Sequence, residues 1–213
     1  MFDDFDLGGT PSTPLPSEDK GWSKQNNFNK FPKKDLRKEP YLPITIYVEK
    51  EYPEPVKSNL IKLIDRLINK GYVIRISGVD LDFYNKVKDM SVENLEVYLP
   101  FKNFNEINSK LCWNADEVKN LVKSNFTSYD KVPDVVKAIL GCQFRMLLGE
   151  RNNSCTNLVI LYTEDGAEKT LDVTQTTGKL NTIIKAADKY KIPLINIKKE
   201  GSLANLVKTY NLS

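Results

Sequence analysis

The stretch TNLVILYTEDG, residues 156–166, decides the fold of this chain. Its first half is a near-continuous apolar run, which is the pattern of a strand buried on both faces of a sheet. Its second half becomes polar and ends in Glu164-Asp165-Gly166, a composition typical of a turn. A strand of this kind needs helices on both sides, so the stretch predicts an α/β protein with a parallel sheet.

Strand and helix patterns alternate on both sides of this stretch, as parallel strands with helical crossovers require. Strands are predicted at 42–49, 72–79, 95–100, 156–163 and 192–197. Helices are predicted at 54–69, 81–89, 115–123, 133–148, 180–190 and 202–210. The fold class is therefore α/β, a three-layer Rossmann-like sandwich with a mainly parallel sheet of about five strands. It forms one domain, residues 41–213, with a helical insert at about 105–150.

Residues 1–40, the N-terminal arm, differ from the rest in composition. They contain five prolines and many Ser, Asn and Lys residues, with no sustained period of 2 or 3.6, so disorder is expected. The first part, residues 1–19, is acidic and aromatic, with five acidic residues, no basic one and a net charge of −5. The second part, residues 20–39, is basic and aromatic, with seven basic against two acidic residues and a net charge of +5.

The composition excludes several kinds of chemistry. The 213 residues include no histidine, which excludes His-based catalytic triads and His metal ligands. The three cysteines form no CxxC pair, so neither a zinc site nor a disulfide framework is predicted, and we expect no metal and no cofactor. No secretory signal pattern and no membrane-length apolar run is found, so a cytoplasmic protein without a membrane partner is expected.

The basic part of the arm predicts binding to single-stranded DNA. Proteins of that kind combine positive charge along the strand with rings on which bases stack, and the net charge of the whole chain, +3, is too small to act without such clustering. The alternative is a solvated tail whose rings dock on the domain. The candidate residues are Lys20, Trp22, Lys24, Phe28, Lys30, Phe31, Lys33 and Lys34.

The acidic part of the arm, residues 1–19, is called the acidic tip below, and its composition predicts contact with a protein partner. Its rings and carboxylates would enter a basic pocket of a polymerase or recombinase, or fold back onto the basic part of the arm. The alternative is a start of the chain that is acidic by chance. The candidate residues are Phe2, Asp3, Asp4, Phe5 and Asp6.

The remaining charged candidates lie in the domain. Lys102, Lys110 and Arg145 are expected at the surface as phosphate contacts. Acidic residues follow two predicted strands at the edge where open parallel sheets bind ligands, so metal binding or acid–base work is one interpretation. Turn formation is the interpretation we favour, and no catalytic residue is assigned. These residues are Asp80, Asp82, Glu164 and Asp165.

Four segments in this order resemble the Rossmann-like superfamily of nucleotide-binding proteins that includes DprA and the LOG proteins, in particular small phage-encoded DprA-like proteins. They are VIRISGVDLDF (73–83), VYLPFKNFN (97–105), LVILYTEDG (158–166) and TTGKLNTIIKAADKYKIPLINI (176–197). The resemblance implies a nucleotide pocket, self-association into a homo-oligomer, single-stranded DNA as a partner and, for a phage protein, the host cytoplasm.

The glycine-rich turns of that superfamily are only partly present, which predicts a degenerate nucleotide pocket. Side chains fill places where glycine would let the backbone approach a phosphate, and only Gly178 is left in the last turn. The residues of this remnant pocket are Ser77, Gly78, Asp80, Asp165, Thr177, Gly178 and Lys179.

Taken together, these patterns predict an accessory protein that is not an enzyme. It would bind single-stranded DNA with little sequence preference and recruit a replication, recombination or phage transcription enzyme to it. One alternative is a sensor or sponge that binds a nucleotide-derived small molecule. A second is an enzyme that cleaves a nucleoside phosphate.

Overall fold

A computed structural model describes residues 43–91, 93–112, 115–126, 128–149 and 154–212, so the N-terminal arm lies outside it. Five parallel strands form one sheet in the order β3-β2-β1-β4-β5. The strands are β1 (Pro43–Ile46), β2 (Val73–Ser77), β3 (Leu95–Tyr98), β4 (Leu158–Leu161) and β5 (Leu194–Asn196). The predicted parallel sheet is confirmed.

Helices cover both faces of this sheet, which confirms the three-layer α/β sandwich. They are α1 (Glu54–Asn69), α2 (Leu81–Val87), α3 (Ala115–Asn125), α4 (Asp134–Leu148), α5 (Asn181–Lys189) and α6 (Ser202–Thr209). Helices α1, α2 and α6 pack on one face, and α3, α4 and α5 pack on the other. Each predicted element is present, although the strands are shorter than predicted because the residues beyond them already turn toward the loops.

Helix α1 shows why the periodic pattern predicted its bounds so closely. Leu60, Leu63, Ile64 and Leu67 lie at three- and four-residue steps, and all four are buried against the sheet. The helix begins with a proline in its first turn, where no backbone N–H is needed. It ends before Gly71, whose φ of 85° is a left-handed conformation that glycine adopts without a steric cost.

The two faces of the sheet differ in polarity. The face toward α1, α2 and α6 is aliphatic, with isoleucines at alternate positions of β1 and β2. On the other face Thr45 Oγ1 donates to Met146 O at 2.8 Å, and Arg75, only 3 % exposed, donates to Ser154 O at 2.7 Å and to Glu96 at 2.8 Å. Met146 O is one of the last four carbonyls of α4, which have no partner inside the helix. The polar face thus fixes the end of α4 against the sheet.

Gly78, directly after β2, is buried because other side chains approach it closely. A Cβ atom on this residue would lie 2.6 Å from Leu99 Cδ2 and 2.8 Å from Ile107 Cδ1. The glycine therefore serves the packing of the loop after β3, and its role in this structure needs no phosphate.

We expect Gly78→Ala to lower the free energy of unfolding by about 1–3 kcal/mol, because the added methyl group overpacks this contact. Chemical denaturation measures the loss. Ile107→Val removes the Cδ1 atom, so combining it with Gly78→Ala should restore part of the stability beyond additivity. Additive losses in the double variant would contradict the packing explanation.

Candidate functional site

A crevice opens at the carboxyl ends of β1 and β4, the central pair of the sheet. The connection that follows β1 runs through α1 on one face, and the connection that follows β4 runs through α5 on the other. The loops diverge at this topological switch point, which is where open α/β sheets bind ligands. The cavity measures about 270 Å³. Its lining residues are Glu49, Glu51, Tyr52, Tyr162, Thr163, Glu164, Thr176, Thr177, Gly178, Lys179 and Leu180.

Two tyrosine rings form one wall of the crevice. Tyr52 and Tyr162 pack edge to face, with 5.3 Å between ring centroids and an angle of 67°. The backbone N–H of Tyr162 donates to Tyr52 Oη at 3.2 Å, and Tyr162 Oη donates to Glu164 at 2.7 Å. The rings are therefore held in place. Tyr162 is 9 % exposed and Lys198 Nζ lies 5.7 Å from its ring centroid, so Tyr52 is the more open of the two rings.

Glu49 and Glu51 face Lys179 across the mouth of the crevice. Lys179 Nζ lies 2.8 Å from Glu51 Oε1 and 3.9 Å from Glu49 Oε2. Burial and the neighbouring Glu51 raise the pKa of Glu49, although the charge of Lys179 opposes them. The pKa of Glu51 is lowered, chiefly by its hydrogen bond from Lys179. Glu49 is thus a partly buried carboxylate whose charge is only weakly compensated, a feature of functional sites.

Asp165 organises the loop between β4 and α5. It accepts hydrogen bonds from the hydroxyl groups of Thr163 at 2.7 Å, Thr174 at 2.6 Å and Thr177, and from the Ala167 N–H at 3.2 Å. Burial alone would raise the pKa of this carboxyl group, but the threonine hydrogen bonds outweigh it and hold the pKa well below the usual value. Asp165 is therefore a fixed acceptor that positions residues 174–177, and it does not itself line the crevice.

The loop that Asp165 holds leads into the N-terminus of α5. Gly178 has φ 68° and ψ −143°, a conformation suited only to glycine, and a Cβ atom there would meet nothing within 4 Å. The residue before α5, Leu180, forms no side-chain cap to the helix. An uncapped N-terminus of this length carries partial positive charge toward the crevice.

The residues predicted for the nucleotide pocket divide into two groups. Thr177, Gly178 and Lys179 line the crevice, and Asp165 supports them from behind. Ser77 is the last residue of β2, Gly78 and Asp80 follow it, and none of the three lines the crevice.

Asp80 has a structural role that accounts for its burial. It lies 2.5 Å from Lys57 Nζ, and it caps α2 by accepting from the Phe83 N–H at 3.0 Å. Lys57 Nζ also donates to Lys50 O at 2.9 Å. Burial acts to raise the pKa of Asp80, but the bonds from Lys57 and Phe83 lower it below its usual value. The pair ties α1 to α2 at the edge of the sheet.

The expectation that Arg145 lies at the surface is wrong. Its side chain is 4 % exposed and donates to Cys112 O, because α4 is covered by the sheet on one side and by α3 and the segment before it on the other. Lys102 and Lys110 are exposed. The predicted sites of the arm lie outside the described residues, and they stay predictions.

Sequence reasoning missed several residues of this region, among them Glu49, Tyr52, Tyr162 and Asn196. The first three line the crevice. Asn196, which has no exposed surface, donates to Thr163 Oγ1 at 2.6 Å and to Ala167 O at 3.0 Å, so it joins the end of β5 to the loop after β4. Their positions in the sequence could have indicated them, since each lies within or just beyond the carboxyl end of a predicted strand.

Within the described ranges, no group of three or more acidic, Cys or His residues is arranged to hold a metal ion. No described helix combines the length and the apolar character needed to span a membrane. Comparisons of the chain with protein-family models, curated proteins and solved structures find no match.

We expect Glu49→Gln to raise the melting temperature at pH 7, because the raised pKa means that folding disfavours the charged carboxylate. Below the pKa that Glu49 has in the unfolded chain, Glu49 is protonated in both the folded and the unfolded state. The difference in melting temperature between Glu49→Gln and the wild-type protein should therefore vanish near pH 4 and grow as the pH rises through the pKa that Glu49 has in the folded state. Thermal unfolding between pH 4 and 8 measures it. Glu51→Gln is the control, since the lowered pKa of Glu51 predicts no stabilisation. Equal effects of the two variants would contradict the assignment.

Proposed function

We propose that the domain binds a nucleotide-derived small molecule in the crevice between β1 and β4. The observation that carries this proposal is the combination of a fixed tyrosine pair, a partly buried glutamate and an uncapped helix N-terminus around one cavity at the switch point of the sheet. Each of these features suits one part of a nucleoside phosphate.

The aromatic wall suits the base of such a ligand. Tyr52 and Tyr162 offer ring surface whose position is fixed by hydrogen bonds, so little side-chain freedom is lost on binding. The cavity of about 270 Å³ lies near the lower limit of small-molecule sites. This size favours one nucleoside phosphate over a dinucleotide.

The polar groups suit the sugar and the phosphate. Glu49 can accept hydrogen bonds from hydroxyl or amino groups, which would repay the cost of its charge in the crevice. The threonines at 176 and 177 and the N-terminus of α5 lie on the side where a phosphate would gain from the helix dipole. Lys179 can turn from Glu51 to a phosphate, since its side chain is 70 % exposed.

Binding without turnover fits this arrangement better than catalysis does. Two of the four acidic residues considered for acid–base work are engaged elsewhere, Asp165 by threonine hydroxyl groups and Asp80 by Lys57. Neither lines the crevice. A sensor or sponge is therefore the function that we infer from the crevice, in preference to a nucleoside-phosphate-cleaving enzyme.

We expect nucleoside monophosphates to raise the melting temperature of the full-length protein. At a ligand concentration one hundred times Kd the gain is about 2.7 kcal/mol. Glu49→Gln should reduce the ligand-induced shift, and Glu51→Gln should increase it for phosphate-bearing ligands, because Lys179 is then released. A thermal-shift panel of nucleosides, nucleoside monophosphates and inorganic phosphate measures this.

Leu171→Ala is the matched control, since Leu171 is 95 % exposed and lies outside the crevice. No shift with any nucleoside phosphate at millimolar concentration would overturn the crevice proposal. A shift that Glu51→Gln weakens would point instead to a cationic ligand.

Binding of single-stranded DNA by the N-terminal arm is the second candidate function. It is favoured by the charge of +5 over residues 20–39, which surrounds Trp22, Phe28 and Phe31. The acidic tip would recruit a polymerase or recombinase by placing its rings and carboxylates in a basic pocket of that partner. The two candidate functions are compatible, because they use different parts of the chain.

We expect Trp22→Ala combined with Phe28→Ala to weaken binding of a labelled oligothymidylate by about thirtyfold or more, since two rings are removed and each stacked base contributes about 1–3 kcal/mol. Fluorescence anisotropy at two salt concentrations should also show an affinity that falls steeply with salt. The control replaces Leu7 and Leu15 with alanine in the acidic part of the arm. Binding that neither the salt nor the ring substitutions change would remove the arm from the site.

A further inference from the structure

We propose that the segment 101–106, the Phe101 loop, is a second contact for single-stranded nucleic acid. In this contact the ring of Phe101 stacks on a base and Lys102 pairs with a phosphate. The inference deepens the second candidate function and rests on it, since it assumes that the protein binds a single strand. The loop follows β3, which is an edge strand of the sheet. Strand β2 lies between β3 and β1, the strand that borders the crevice.

The ring of Phe101 is unusually open for a large apolar side chain. It is 45 % exposed, and Phe104 supports it edge to face at 4.9 Å with an angle of 89°. Perpendicular packing of this kind holds the ring upright, while nearly half of its surface stays in contact with water. A fixed, exposed ring is what base stacking requires.

The backbone of the loop is held in a conformation that side chains usually avoid. Asn103, Asn105 and Glu106 have φ angles of 60°, 52° and 59°, all in the left-handed region. Asparagine tolerates this region better than glutamate does, so Glu106 bears most of the strain. Backbone strain of this kind clusters at functional sites.

Hydrogen bonds fix the loop to the body of the sheet. Asn105 Nδ2 donates to Gly78 O at 2.9 Å and to Val79 O at 3.3 Å. The base of the loop is closed by the bond from the Leu99 N–H to Leu111 O at 2.9 Å. A loop that is fixed before binding loses little conformational entropy when a ligand arrives.

The segment that contains Phe101, residues 99–112, carries a small positive charge. Lys102 and Lys110 are exposed, and neither forms an ion pair with another described residue. By contrast, the two lysines that follow β5 at the other side of the sheet form ion pairs. Lys198 pairs with Glu164 at 3.1 Å and Lys199 with Glu168 at 2.6 Å. Glu106 is the one carboxylate within residues 99–112, so that segment has a net charge of +1.

These features fit a nucleic acid better than a protein partner. Apolar docking of a protein needs a contiguous apolar patch, whereas in the described part of residues 99–112 the exposed large apolar side chain is Phe101 alone. Its exposed polar neighbours within residues 99–112 are lysines and asparagines, which bond to phosphates and base edges, and one glutamate, Glu106. One ring among such residues is the arrangement of a stacking site.

Anisotropy of a labelled oligothymidylate with the full-length protein tests the inference. We expect Phe101→Ala to weaken binding by about fivefold or more, which is the loss expected when one base loses its stacking partner. Phe101→Trp should retain or tighten binding, because it keeps an aromatic ring at this position. Phe101→Leu keeps the apolar volume but lacks the ring, so it should bind as weakly as the alanine variant. Lys102→Gln should lower the slope of log affinity against log salt by about 0.7. Leu171→Ala, which removes another exposed apolar side chain, should change nothing.

The outcomes separate this inference from the function on which it rests. If the wild-type protein does not bind the oligonucleotide, both are overturned. If it binds and the alanine and leucine variants at 101 match it, the loop is excluded and the arm is left as the site. If leucine binds like phenylalanine while alanine does not, the contact is apolar and stacking is wrong. Melting curves of all variants check folding, and the leucine variant carries the test if the alanine variant unfolds.

Discussion

The parallel pairing of β1 with β4 is the constraint on which the rest of this structure depends. The register joins Ile44 with Leu158 and Ile46 with Ile160, so residues more than a hundred positions apart form the centre of the sheet. Both strands are buried on both faces, which requires a helical layer on each side. Since the chain leaves β1 toward one layer and leaves β4 toward the other, the loops part and the crevice opens between them.

Polar groups at the carboxyl edge of the sheet serve mainly to hold these diverging loops. Asp165 binds three threonine hydroxyl groups, Asn196 joins β5 to the same loop, and the Lys57–Asp80 pair ties α1 to α2. Buried polar groups of this kind are stable only when each is bonded, and these are. Glu49 differs, because its surroundings favour the neutral form. A partly buried carboxylate of this kind at the mouth of a cavity is one of the observations on which the proposed ligand rests.

The crevice and the Phe101 loop would divide recognition between two chemistries. The crevice is an open cavity with two glutamates and an already paired lysine at its mouth, and its size suits one small molecule. The Phe101 loop is exposed, its Lys102 forms no ion pair with another described residue, and it suits an extended strand. Both lie at the carboxyl edge of the sheet, with β2 between their strands.

The sequence by itself determined the parallel α/β architecture, because hydrophobic periodicity records how each segment is buried. Helix α1 has the predicted bounds, and the apolar run of β4 marked a central strand. The sequence also indicated Thr177, Gly178 and Lys179 as pocket residues, and they line the crevice. Only the tertiary structure decided which residues join them, since the pairing of β1 with β4 brings Glu49 and Tyr52 to the crevice and leaves Ser77 and Gly78 beyond it. Arg145 is a second example. A charged residue on a helix is predicted to be exposed from the sequence alone, but in the folded protein neighbouring segments cover this side chain.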